Sequence, residues 1–310
     1  MDVRGLPPGA RGLRLGETPR ISVVVASRGE RAQLDTCLAA LLPQCIRLEA
    51  EVIVSRSGAL GTLEGAYPGV SFVDAPAGAS WPTLRAAGMA VAEGDVVALT
   101  EDHCVPGRDW LEEIVSAQRS GADVAGGAME NGRRERAIDW AAYFAEYGVY
   151  LSATPASEPP HITAANVAYG RSVVEDVIAA AREGHWENVA HDRLAARGRT
   201  VAFLRTAAVY ENQSHRFADF CRDRYGHGRD YACARLGEEG VRRRWLYLLG
   251  TPLLPFVLAR RIASAAGPER RRPFLRALPF TLLFLGAWAA GEAVGYARGP
   301  SPNRPADAGR

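Results

Sequence analysis

The chain has 310 residues, a formal net charge of +2 and a hydrophobic share of 47%. That length holds one large domain or two small ones with ample core. The near balance of charge excludes a nucleic-acid binder with a pervasive basic face. All 37 basic residues are arginine, which excludes lysine chemistry. The five cysteines form no CxxC pair, and their odd number fits reduced thiols in a cytoplasmic compartment. Met1–Arg20 is rich in Gly, Pro and Arg without an apolar core, and reads as a loose tail rather than a signal peptide.

In chain order, Ile21–Ala26 is a β-branched run and reads as a buried first strand, with Ser27–Glu30 as the turn after it. Leu34, Cys37, Leu38, Leu41 and Leu42 recur at helical spacing, and Pro43 is expected to end that helix. Glu51–Val54 is a second strand leading into Ser55–Gly58, and Val70–Val73 a third. Thr83–Ala92 is a helix of small residues suited to packing on a sheet. The apolar run Val96–Leu99 is a fourth strand that ends abruptly in Thr100-Glu101-Asp102-His103. Taken alone, that tetrad is either a ligand site or a polar turn capping the helix near Trp110. Strand–helix repeats of this kind imply right-handed crossovers and a mostly parallel sheet. Ligands bind such sheets at the carboxyl ends of the strands. The three polar turns, Ser27–Glu30, Ser55–Gly58 and Glu101–His103, therefore share one edge, which favours the ligand-site reading.

After Trp110, Leu111–Ala117 is helical and Ala122–Met129 is a strand with a Gly-Gly break. Ile138–Leu151 is an aromatic helix or irregular wall, and Thr154–Pro160 a Pro-rich loop. His161–Tyr169 reads as a strand and Val173–Arg182 as a helix. A polar break at Gly184–Asn188 precedes a short helix ending at Arg197-Gly198. Thr200–Leu204 and Ala207–Tyr210 are apolar, and Phe217–Arg235 is a basic amphipathic helix.

From about Ile21 to Gly299 the order and spacing of these motifs resemble a family 2 glycosyltransferase. The resemblance implies the inverting GT-A fold: α/β, a Rossmann-like, mostly parallel sheet flanked by helices, here followed by C-terminal hydrophobic helices. Ile21–Glu30 resembles the family's first strand and nucleotide-binding turn, and Arg85-Ala-Ala-Gly88 its segment beside the diphosphate. Glu101-Asp102-His103 occupies the Asp-x-Asp metal site. Asn166–Arg171 resembles the acceptor-side segment. Trp186-Glu187 with Arg193-Leu194 resembles the segment that carries the catalytic base, and Glu187 takes the base's place. His215 and Arg222–Tyr225 fall where the family has a late histidine and a basic, aromatic segment near the phosphates. The chain departs from the pattern at Ser55-Arg56-Ser57, where acids usually face the nucleotide, and at Glu101 and His103, where aspartates are usual.

The resemblance thus implies a nucleotide-sugar donor held by Ser27, Arg28, Glu30, Ser55, Arg85, Asp102, Arg222 and Arg224. It places Asn166 and Trp186 at the acceptor, and Glu101, His103 and His215 at a divalent cation, Mn²⁺ or Mg²⁺. Such a transfer needs stabilisation of the leaving diphosphate, a carboxylate to take the acceptor proton and exclusion of water. On an extended segment Glu101 and His103 point to one side and Asp102 to the other, which pairs His103 with Glu101. His103 either binds the cation, most readily Mn²⁺, or hydrogen-bonds the diphosphate as a neutral ring. His215 is a further ligand or a surface histidine ahead of a helix.

Two apolar stretches, Trp245–Ala259 and Ala277–Ala297, close the chain amid nine arginines from Arg242 to Arg276. The first falls short of the roughly 20 residues needed to span a bilayer. The second carries Glu292, an acid that is expensive inside a membrane. They read as interfacial, re-entrant or helix-paired segments on the cytoplasmic face of the cell membrane, or as helices packed on the enzyme itself or in a dimer. The expected organisation is a tail (1–20), a transferase domain (21–238, divided near 110), a basic hydrophobic region (239–299) and a second tail (300–310). The resulting expectation is a transferase whose hydroxyl acceptor is lipid-linked or membrane-proximal, with no nucleic-acid partner. A catalytically weakened nucleotide-sugar-binding scaffold at the membrane is the alternative. A nucleotidyltransferase is disfavoured by the missing Gly-rich, Lys-containing loop.

Overall fold

The computed structural model describes residues 20–28, 31–57, 65–148, 151, 162–183, 185–239 and 243–299. The chain divides into two compact units, 1–129 with 161–210 and 130–160 with 211–310. The helix Phe217–Glu239 falls with the C-terminal helices in the second unit.

An eight-stranded sheet runs in the order β3-β2-β1-β4-β7-β6-β8-β5. Its strands are β1 (Ile21–Ser27), β2 (Glu51–Ser57), β3 (Val70–Ala75), β4 (Val96–Glu101), β5 (Cys104–Pro106), β6 (Val124–Asn131), β7 (Val167–Gly170) and β8 (Val201–Glu211). The first four are parallel neighbours, with Val24 opposite both Ile53 and Leu99. β7 runs antiparallel to both β4 and β6, so the sheet is mixed beyond β4. Around it lie α1 (Arg31–Arg47), α2 (Trp81–Val91), α3 (Trp110–Arg119), α5 (Arg171–Arg182) and α6 (Glu187–Ala196), while α4 (Ala137–Tyr147) belongs to the second unit.

Period-two alternation divides the parallel strands between two helices. Val24, Ile53, Val97 and Leu99 pack with Ala86 and Met89 of α2. α2 starts cleanly because Ser80 caps it, accepting from the Thr83 amide, and Pro82 stands where no amide partner is needed.

Local signals are overridden at several points. Pro43 does not end α1, which runs on to Arg47. Gln44, one residue later, is buried and donates to Gly107 O while accepting from the Leu111 amide, so tertiary bonds carry the helix past the proline. β6 shows no break at Gly126-Gly127. A Cβ on Gly127 would be driven into the Ala207 carbonyl of β8, so glycine here permits close strand approach. Thr200–Leu204 and Ala207–Tyr210 fall within one continuous strand, β8. The expected strand from His161 forms only from Val167, and His161, Thr154–Pro160 and Gly184 lie outside the described residues.

The second unit is helical: α4, α7 (Phe217–Glu239), α8 (Arg244–Gly250), a 3₁₀ turn (Thr251–Leu253) and α9 (Leu254–Arg298). α9 breaks at Gly267, which has φ 67° and ψ 178°. Beyond the break, Ala277, Thr281, Phe284, Leu285 and Ala289 are buried. Gly228 of α7 faces the Trp288 carbonyl and Gly291 the Tyr225 carbonyl too closely to admit a Cβ, so α7 and α9 pack backbone to backbone. Glu292 accepts from the Trp288 indole one turn away. The stretch Ala277–Ala297 is thus helix-paired within its own unit. Among the described residues, one helical run, Arg244–Arg298, is by length and composition apolar enough to cross a membrane.

Candidate functional site

The parallel register puts Ala26 beside both Ser55 and Glu101, so β1, β2 and β4 end together. Side-chain alternation then sends neighbouring acids to opposite faces. Glu101 meets Arg85, which α2 presents on its buried face: the Arg85 Nε–Glu101 Oε1 distance is 3.2 Å, and Nη2 contacts the same oxygen. Asp102 turns the other way, and its Oδ2 accepts from Ser27 Oγ at 2.8 Å and from the Arg28 amide at 3.1 Å. The Asp102 amide donates to Ala26 O at 2.9 Å, so the two strand exits are tied by backbone and side chain. Neither acid caps α3, whose N-cap Asp109 makes no side-chain capping bond.

His103 touches both carboxylates. Its Nε2 lies 3.4 Å from Glu101 Oε2 and its Nδ1 3.4 Å from Asp102 Oδ1. Burial opposes its charge, but Cys104, Asp102 and Glu101 outweigh that and raise its pKa well above the ordinary histidine value. Trp81 stacks edge-on against His103 at 5.5 Å and lies 5.5 Å under the Arg28 guanidinium.

Glu187 opens α6, where the helix N-terminus favours an acid. Its Oε2 accepts from Arg85 Nη1 at 3.1 Å and its Oε1 from the Ala164 amide at 3.3 Å. One buried guanidinium therefore joins the β4 turn to the α6 acid. Burial works against the Arg85 charge, and Glu101 and Glu187 more than compensate. A cavity of about 20 Å³, room for one water, is lined in part by Arg85, Leu99, Tyr169, Trp186 and Glu187. Tyr169 Oη, beside Arg85 and Glu187 in that cavity, lies 2.9 Å from His191 Nε2. Trp186 is 42% exposed.

Glu101, His103 and Cys104 are, among the described residues, the group of metal-capable side chains that converges: their donor atoms lie within 4.8 Å of one another. The Glu101 carboxylate suits either Mg²⁺ or Mn²⁺, the His103 ring is better tolerated by Mn²⁺, and the Cys104 sulfur is softer than either cation favours. Burial holds the nearby Cys37 thiol well above its ordinary pKa and pushes Cys45 to about 12, so neither is a nucleophile at neutral pH.

The expected site residues divide. Ser27, Arg28, Arg85, Glu101, Asp102, His103 and Glu187 form one linked network, with Trp186 adjacent. Ser55 is fully buried on β2 and its Oγ lacks a hydrogen-bond partner, while Glu30 lies outside the described residues. Asn166 is fully buried, accepts from Trp110 Nε1 at 2.8 Å and donates to Ala128 O at 2.9 Å and Ala207 O at 2.8 Å. Both its amide hydrogens are spent stitching β6 and β8, and no part of it is exposed. Three further residues belong to the second unit. His215 lies 3.4 Å from Glu211, and its amide donates to Asp139. Arg222 is exposed and pairs with Asp219 at 3.0 Å. Arg224 is buried between Phe220 and Trp288 and pairs with Glu146 and His227. Trp81 and Cys104 were not singled out from the sequence. The capped Ser80-Trp81-Pro82 helix start was a usable signal for Trp81; Cys104 was marked only by its Cys-Val-Pro segment directly after the metal-site motif.

The Glycosyl transferase family 2 model matches residues 22–178, half of the chain. No curated protein sequence matches. Among solved structures, the mannosyltransferase PcManGT from Pyrobaculum calidifontis, in complex with GDP-Man and Mn²⁺, aligns with a TM-score of 0.52 at 17% identity. That alignment covers 89% of this chain and 88% of the other, and shows a shared fold. Glucosyl-3-phosphoglycerate synthase from Mycobacterium tuberculosis, in complex with Mn²⁺, UDP and phosphoglyceric acid, aligns at 0.44 and 15% identity, over 64% of this chain and 72% of that one. With the family model spanning the sheet edge that carries Arg85, Glu101, Asp102 and His103, the chain belongs to glycosyl transferase family 2.

Proposed function

We propose that the protein transfers a sugar from a nucleoside-diphosphate donor to an acceptor hydroxyl by a single inverting displacement. The acceptor oxygen forms the new bond to the anomeric carbon as the bond to the diphosphate breaks. Glu187 takes the hydroxyl proton, and the diphosphate leaves with its negative charge. The observation that carries this reading is Arg85, whose guanidinium contacts both Glu101 and Glu187. A carboxylate for the proton and a cation for departing charge thus sit side by side. Ser27, Arg28 and Asp102 order the turn that receives the donor, and Trp186 covers the acceptor side against water. Glu101 and His103 would hold a divalent cation, Mn²⁺ or Mg²⁺, which when bound stabilises the leaving diphosphate. PcManGT, which shares the fold, was solved with Mn²⁺ and a nucleotide sugar. The acceptor in this reading is lipid-linked or membrane-proximal on the cytoplasmic face, which the arginine-rich, apolar C-terminal run supports.

A second reading, donor binding without turnover, draws on the same ion pairs, because both carboxylates are already engaged by Arg85. Full-length protein incubated with a panel of nucleotide sugars and a lipid extract separates the two. Nucleoside diphosphate release at least tenfold above background with Mn²⁺ or Mg²⁺, and its loss in EDTA, is the outcome expected for transfer. Donor binding with no release in any condition would establish the binding reading instead.

A further inference from the structure

The most exposed large apolar side chains among the described residues of the second unit crowd one short run. Trp245, Leu246 and Leu249 on α8, Leu253 on the 3₁₀ turn and Phe256 at the start of α9 are 61–77% exposed. Surface apolar residues are ordinary when scattered, but a contiguous run marks a contact surface. Its ends are basic. Arg243 precedes it, and Arg260 and Arg261 follow, all three exposed. From Val241 to Pro268 the sequence holds five arginines and no acid.

The run is too short and too bent to cross a bilayer. Even as a straight helix, Arg244 to Arg260 would reach about 24 Å, against a hydrocarbon core of about 30 Å. The 3₁₀ turn with Pro252 interrupts it further. One face of the more hydrophobic stretch beyond Gly267 is already occupied by α7. A second copy of the chain is a poor occupant, because a two-fold contact through this patch would set arginine against arginine with no acid between them. Phosphate headgroups match the arginines bidentately, and an indole beside them suits the lipid interface.

We infer that Arg243–Arg261 is an interfacial anchor: Trp245, Leu249 and Phe256 enter one leaflet of an anionic bilayer while the flanking arginines hold lipid phosphates. This rests on the membrane-proximal part of the proposed function and narrows it from the whole C-terminal region to one segment.

Flotation of full-length protein with vesicles tests it, using phosphatidylcholine alone or with about a third phosphatidylglycerol. Wild type should bind the anionic vesicles at least tenfold more strongly. The double variant L249E/F256E should lose at least tenfold of that binding. R260E/R261E should lose the preference for anionic lipid. Leu283→Glu, at an exposed site beyond Gly267, should bind like wild type. Bromine-labelled lipid should quench tryptophan fluorescence in wild type, and the quenching should fall in Trp245→Phe, a variant that does not strain the fold. Equal binding by L249E/F256E and wild type, equal loss in Leu283→Glu, or unchanged quenching in Trp245→Phe would each overturn the assignment. So would a dimer that L249E/F256E dissolves while vesicles bind neither protein. Vesicle binding is read without donor, so its failure leaves the transfer reading standing, and absent transfer leaves the anchor standing.

Discussion

In the first unit, Arg85, Glu101, Asp102 and His103 lie buried together, with Glu187 nearly so. In the second, Trp245, Leu249 and Phe256 stand in solvent beside uncovered arginines. The first arrangement hides charge and the second displays grease, and each runs against the usual sorting of side chains. Buried charges cost desolvation that partners only partly offset. Exposed apolar bulk contributes little to folding. Neither region is arranged for stability alone, which is why each points to something the molecule does. The contrast also shows two ways of holding a ligand: pre-ordered hydrogen bonds in the first unit, and an unpartnered surface in the second.

Substitutions at three positions break or sharpen that contrast. The largest effect belongs to Glu187→Gln. If the buried charge serves chemistry, transfer falls about 10²–10⁴-fold while donor affinity holds, measured by steady-state turnover beside equilibrium binding. Full activity in this variant removes Glu187 as the base. Next is Arg85→Ala, which leaves Glu101 and Glu187 without their shared cation. Breaking a buried pair from one side costs about 3–5 kcal/mol, to be read from urea unfolding, and Arg85→Lys should recover only part because it lacks the planar fork. A loss under about 1 kcal/mol would mean that solvent already reaches the network, in the range of exposed pairs. The smallest effect is Leu249→Ser in the second unit. If that side chain does nothing for the fold, stability changes by less than about 0.5 kcal/mol, and a larger loss would reveal hidden packing.

Much of the first unit was legible from local signals. β1, β2 and β4 announce themselves as β-branched runs, and the carboxyl-edge rule then gathers their turns. The alternation that separates Glu101 from Asp102 also held, because it depends only on the pleat. The pairing of His103 with Glu101 was half the story, since the ring meets Asp102 as well. What local reading missed depends on residues far apart in sequence. Arg85 reaching both Glu101 and Glu187 leaves no trace in spacing, and Asn166 looks the same in sequence whether it meets a sugar or stitches strands. Pro43 misled because Gln44 is held by Gly107 and Leu111, more than sixty positions on. The stretch after Gly267 has the composition of a lipid-facing helix, and its partner α7 replaces lipid without changing a residue.

Gly267 itself has a mechanical consequence. Its φ of 67° with ψ of 178° is a backbone state open in practice only to glycine. The change of direction within α9 is thus written into one residue's torsion angles. It works as an elbow: the upper arm, Leu254–Ala266, extends the anchor, and the forearm, Pro268–Arg298, stays clasped to α7. A side chain at position 267 would be strained in that state, and Pro268 directly after it would still keep the two arms from merging into one straight helix.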